Sequence, residues 1–202
     1  MIIKHTLLAA VAFAAVAFTS CGNATDGDVT DADSVYNLND TTTTAATPEG
    51  TQVAASSIFS TADTSAVLGS ARFYQLADGQ IRLDLEINMK DRADSNVAVH
   101  FHDKGACGNK GEDAGGHWNP TGEDHGEWGA HAHHSGDIGN LTLDANGQVK
   151  KSITSDRWSI ADTAQGNIIG KSIIVHSGKD DYTTQPTGNS GPRAGCGIIT
   201  KL

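Results

Sequence analysis

Aromatic side chains are scarce in this 202-residue chain, at 5%, and basic residues are outnumbered, with 14 Lys and Arg against 24 Asp and Glu. The formal charge of -10, with no basic stripe anywhere, argues against a nucleic-acid partner, since phosphate binding needs clustered cations. No internal repeat and no long segment of 3.6-residue apolar period is present, which argues against solenoids and helical bundles. No His-Glu-x-x-His occurs, so a zinc hydrolase would lack its usual catalytic glutamate. Cysteine is limited to three residues, none with a partner at zinc-finger spacing. What the chain does have is glycine, 23 residues of it, and 38% hydrophobic residues. That mixture suits one β-rich, loop-heavy domain with a single core.

Residues 1–20 carry Lys4 and His5, then the apolar run LLAAVAFAAVAF, then Thr19 and Ser20. A charged start, a short apolar core and a small-residue end make an export signal, and the run is short for a membrane span. Cys21 follows directly, and Phe18-Thr19-Ser20-Cys21 resembles the lipobox of bacterial lipoproteins, with Phe18 where a small aliphatic residue is usual. That resemblance implies acylation of Cys21, attachment to the membrane through the lipid, and a place in the bacterial cell envelope, on the periplasmic side or the cell surface. Removing residues 1–20 takes away Lys4 and leaves a net charge of -11, from 13 basic and 24 acidic residues. Residues 21–55, rich in Thr, Ala, Asp, Asn and Gly, bury too little to offset the entropy of ordering and read as a flexible tether. The folded domain is expected over 56–202.

Within that domain Ile81, Leu83, Leu85, Ile87 and Met89 alternate with polar residues, the period of a half-buried strand. A weaker strand is expected over Ser70–Leu76, joined to it by Asp78-Gly79. Further strands are expected over Asn96–His102, Ile138–Leu143, Gln148–Thr154 after the Asn146-Gly147 turn, Lys171–His176 and Cys196–Thr200. Repeated hairpins without helices indicate an all-β antiparallel sandwich or barrel. Cys107 and Cys196, left over in an exported chain, read as a disulfide tying a long loop to the last strand.

Seven of the nine histidines fall between His100 and Asp137, and neutral imidazole is the commonest ligand for copper and zinc. His100 and His102, two apart on a strand, share a face, and His176 ends another strand, so three nitrogens suit a copper or zinc ion. In the loop, His117, His125, one of His131, His133 and His134, and Asp137 provide three imidazoles and a carboxylate, a set that closes a tetrahedral zinc site. Periodicity does not choose among the last three histidines. A loosely chelating His-rich tract is the competing reading.

From about Gly69 to the C-terminus the chain resembles copper/zinc superoxide dismutases, in particular exported bacterial ones. The matching residues are His100-Phe101-His102, Gly116-His117-Trp118-Asn119-Pro120, His125-Gly126, His134-Ser135-Gly136-Asp137, Val175-His176 with Asp180, and Gly191-Pro192-Arg193-Ala194-Gly195-Cys196-Gly197. The resemblance implies an immunoglobulin-like Greek-key barrel of eight antiparallel strands with long metal-binding loops. It implies copper on His100, His102, His117 and His176, and zinc on His117, His125, His134 and Asp137, with His117 shared. Asp180 would link a copper ligand to a zinc ligand, and Arg193 would attract superoxide. The implied activity converts superoxide to oxygen and hydrogen peroxide, with His117 also passing a proton, and exported relatives are often homodimers. Ala98-Val99 departs from the family's Gly-Phe, and 177–193 lacks the Lys- and Glu-rich steering elements of cytosolic relatives. His131 and His133 have no counterpart, and Trp118, Trp128 and Trp158 are expected in the core or a dimer contact. The rival class is an envelope copper- and zinc-buffering lipoprotein, which needs the histidines but not Arg193.

Overall fold

The computed structural model describes residues 50–202. The export segment, Cys21 and the tether as far as residue 49 lie outside the described residues. Nine strands follow one another: β1 (Thr51–Ser60), β2 (Val67–Gln75), β3 (Ile81–Asn88), β4 (Asn96–His102), β5 (Asp137–Thr142), β6 (Gln148–Ser155), β7 (Ser172–His176), β8 (Arg193–Ile198) and β9 (Thr200–Lys201). They pair in the order β5-β4-β7-β8-β1-β2-β3-β6, with the two-residue β9 also on β1. All eight ladders are antiparallel. The result is the expected all-β, nearly closed barrel of eight strands. β3 lies beside β6, and β4 beside β7, so two connections cross the barrel in Greek-key fashion.

The alternation in β3 does what its period requires. Ile81, Leu83, Leu85 and Ile87 are buried in the core, while Arg82, Asp84 and Glu86 face outward opposite β6, where Lys150 pairs with Glu86 at 3.0 Å. Exposed Lys150 and Lys151 also protect β6, an edge strand, from pairing with another chain. Both turns lie at the expected dipeptides, with Gly79 and Gly147 at φ 88° and 73°; the first closes a hairpin between β2 and β3, whereas the second joins β5 to β6, which do not pair. Trp118 and Trp158 join the core, packed around Phe101 at ring distances of 6.4 and 5.2 Å.

Three boundaries differ from expectation by more than a residue or two. β2 begins at Val67 rather than Ser70. β1 starts at Thr51, ahead of the boundary placed at 56, and its inward residues Ala54, Ser56 and Ile58 are buried at a two-residue period. Alanine and serine carry little hydrophobic signal, so this strand is defined by its ladders with β2, β8 and β9 rather than by its own side chains. The strand expected over Cys196–Thr200 is β8 and β9 in succession, and it places Arg193 at the start of β8 rather than in the preceding loop.

A candidate metal centre on the outer face of the barrel

β4 supplies the floor of the site. Val97, Val99 and Phe101 point into the core, which turns His100 and His102 to the opposite face, buried there by loops. Register shifts between Val99 and His100 on the β5 side, and between Val175 and His176 on the β8 side, locally re-aim the backbone at two of the histidines. A single bridge between His102 and His117, together with Trp118 N–H donating to Phe101 O at 2.8 Å, lays the loop over β4.

The side chains converge in two groups of four. His100, His102, His117 and His176 form one; His117, His125, His134 and Asp137 form the other, with the potential ligand atoms of each within 4.8 Å of one another. All are buried, and His117 belongs to both. His134 completes the second group. His131 is exposed, and His133 turns away to Trp128, its Nδ1–H donating to Ala130 O at 2.9 Å.

His100, His102, His125 and His176 each spend one ring nitrogen on the protein and leave the other facing their group. His100 Nε2–H donates to Asp180 Oδ2 at 2.7 Å, His102 Nδ1–H to Gly115 O at 2.9 Å, and His176 Nδ1–H to Gly191 O at 3.0 Å. His117 Nδ1 lies 3.0 Å from Asp137 Oδ1, a fellow member of the second group, and its Nε2 is left for the first. Left over are His100 Nδ1, His117 Nε2, His125 Nδ1 and His134 Nδ1, buried and without a hydrogen-bond partner among the described residues. His102 Nε2 and His176 Nε2 face each other at 3.3 Å. His125 Nδ1 and His134 Nδ1 stand 3.0 and 3.3 Å from the Asp137 oxygens without hydrogen-bond alignment. Orphaned imidazole nitrogens cost free energy in a dry site, and converging lone pairs are what a bound cation satisfies. The residues present therefore fit one ion per group, sharing His117.

Electrostatics agree with this. Burial pushes the first group's imidazoles down, His100 to about 3, His102 to about 2 and His176 to about 4, so they stay neutral and ready to coordinate at physiological pH. For Asp137 burial acts upward, yet the three neighbouring rings outweigh it and hold the carboxyl well below its usual range. His125 runs the other way: burial lowers it, but Asp137 and Asp180 on its two sides raise it to about 9. The raised value means the metal-free folded chain keeps a proton that the unfolded chain gives up near pH 6.5. That contribution to stability is full below about 6.5 and is lost as pH rises through 9. Zinc uptake by metal-free protein at pH 7.5 is accordingly expected to expel about one proton from His125. Titration calorimetry in two buffers of different ionisation enthalpy measures it, and a buffer-independent heat would contradict it.

Asp180 joins the groups, its other oxygen lying 2.9 Å from His125 Nε2. It is fully buried and held well below the usual carboxylate range, because the hydrogen bonds of His100 and His125 outweigh burial. Arg193 donates from Nη1 to Gly111 O at 2.5 Å and from Nη2 to Gly115 O at 2.7 Å, the same carbonyl that anchors His102. Cys107 and Cys196 form the expected disulfide, pinning the loop that carries both carbonyls to β8. Two residues around the site went unread in the sequence. Asn140 and Gln185 each make two hydrogen bonds to the backbone of a site residue, and a lone carboxamide, on a strand or in a polar loop, gives no signal of that.

The sequence profile of the copper/zinc superoxide dismutase (SODC) family matches residues 67–199. The superoxide dismutase-like protein YojM of Bacillus subtilis is 35% identical over 122 residues, 58% of this chain and 62% of its own length. The chain thus spans a little under two thirds of that relative. The Cu-Zn superoxide dismutase of Schizosaccharomyces pombe is 34% identical over 142 residues, 67% of this chain and 90% of its own. Among solved structures, a double mutant of a SOD-like protein from Bacillus subtilis superimposes with a TM-score of 0.65 at 30% identity, covering 72% of this chain and 96% of that one.

Proposed function

The chain belongs to the copper/zinc superoxide dismutase family, and from that premise we propose that it is a superoxide dismutase that turns two superoxide anions and two protons into oxygen and hydrogen peroxide. The observation that carries this reading is the shared His117, which lets seven side chains make two four-residue groups. In it, copper is held by His100, His102, His117 and His176, and zinc by His117, His125, His134 and Asp137. Copper supplies the one-electron chemistry when bound.

The chain's own groups do the rest. Arg193 has its guanidinium fixed by two carbonyls, with N–H groups left over to orient a small anion. His117 Nε2, buried and unpartnered, is the atom that holds and passes a proton. Asp180 fixes the His100 and His125 rings by accepting from both, so neither group reorients when the charge beside it changes. Export, acylation at Cys21 and an envelope location remain part of the proposal on the strength of residues 1–21, and a homodimer is its proposed assembly.

Elemental analysis of the mature protein, paired with a superoxide-consumption assay, tests the reading; about one copper and one zinc per chain with activity is the expected result. Arg193→Ala is expected to keep both metals and lose about 10- to 100-fold in kcat/KM, with a shallower salt dependence, because a steering charge has gone. Stopped-flow superoxide decay at two ionic strengths checks it. A second reading, metal binding in the envelope without dismutation, is favoured by the Bacillus subtilis relative's being named dismutase-like. It predicts bound metal, no superoxide consumption after copper loading, and indifference to Arg193→Ala.

A further inference from the structure

Asp180 can join the two metal groups only if the backbones at both ends of its contact with His125 are held in place. Neither lies in a strand. Residues 122–127 have no regular structure, and among the described residues neither the N–H nor the C=O of His125 has a main-chain partner. Two side-chain amides meet these needs. Asn140, on β5, donates from Nδ2 to Asp180 O at 2.9 Å and accepts Asp180 N–H on Oδ1 at 2.8 Å. Gln185 donates from Nε2 to His125 O at 3.0 Å and accepts His125 N–H on Oε1 at 2.8 Å.

Each clamp needs one donor and one acceptor on the same planar head group, which a carboxamide has and a carboxylate lacks. The loop between them is closed on itself: Asp181 accepts the N–H groups of Thr183 and Thr184, Gly188 N–H donates to Thr184 O, and Asp181 N–H to Gly188 O. Gly188, at φ 65°, lies so close to Asp180 and His125 Nε2 that any side chain there would collide with both. The loop thus presents Gln185 to His125 while Asn140 holds its first residue to the barrel.

We infer that Asn140 and Gln185 are positioning residues that hold the Asp180–His125 contact from its two ends and so set the metal affinity of the His117, His125, His134 and Asp137 group. This rests on the reading of that group as a zinc site. Cobalt(II), whose visible bands report tetrahedral geometry, is the probe, titrated into metal-free full-length protein. Asn140→Asp and Gln185→Glu, each keeping shape but losing a donor, are expected to weaken cobalt about tenfold and alter its bands, as outer partners of metal ligands do. Combined with Asp180→Asn, neither is expected to cost anything further, because both act through Asp180. Unchanged affinity in the single variants, or losses that add in full to that of Asp180→Asn, would overturn the inference.

Amide exchange in the metal-free protein separates the clamps from the metal. Protected Asp180 and His125 amides that become fast in Asn140→Leu and Gln185→Leu, which remove the oxygens accepting them, support the clamps even if the wild type takes no cobalt, an outcome that sinks the zinc reading alone. Fast exchange at both amides in the wild type sinks the clamps whatever cobalt does.

Discussion

His117→Ala is expected to abolish superoxide consumption and to lower the binding of both metals. His117 is the one side chain common to the two groups, so its removal takes a nitrogen from each. Loss of a mere outer partner costs about 10- to 100-fold in affinity or activity, and a ligand shared by two ions must cost more. Its neighbours make the loss harder to absorb: His100 stacks on it at 3.9 Å, and Asp137 would lose a ring nitrogen 3.0 Å away. Metal analysis and superoxide decay on the same preparation check the result. Retained copper and zinc with full activity would refute the sharing. His131→Ala is the matched control, since that exposed ring belongs to neither group and its loss should leave both readouts unchanged.

The second large effect is on stability. Cys107 and Cys196 are 89 residues apart, and in the chain-entropy model closing a loop of that size stabilises the fold by about 4–5 kcal/mol. Replacing both with Ser should lower the melting temperature by roughly 10–15 °C for a domain of this size. The bridge also packs with Ala114 and Ile174 in a small apolar cluster beneath the loop carrying Gly111 and Gly115. Freeing that loop releases the carbonyls that hold Arg193, so kcat/KM is expected to fall towards that of Arg193→Ala even below the melting transition. Thermal unfolding and activity of the double Ser variant, with and without reductant, test both halves. An unchanged melting temperature would show that the loop is held by packing alone.

What the sequence determined by itself was periodicity and chemistry. A two-residue period put Leu83 and Leu85 inside and His100 with His102 on one face, because successive strand side chains point to opposite sides whatever surrounds them. The dipeptides Asp78-Gly79 and Asn146-Gly147 set their turns locally, through the freedom of glycine to take positive φ. The ligand set was legible because imidazoles and carboxylates in that order match a family pattern. β1 was not legible, since Ala54 and Ser56 become strand residues only when β2 and β8 supply the ladder. Periodicity did not choose His134 over His131 and His133, and only the family pattern did: neighbours in sequence point in different directions, and the turn closed by Asp137 N–H on His134 O aims one of them inward. The family pattern implied that Asp180 links the two groups; tertiary structure decided that the rings it reaches are those of His100 and His125, and that Asn140 and Gln185 hold the backbones at either end. Contacts between residues 40 to 80 positions apart depend on where the barrel places two loops, and no local pattern encodes that distance.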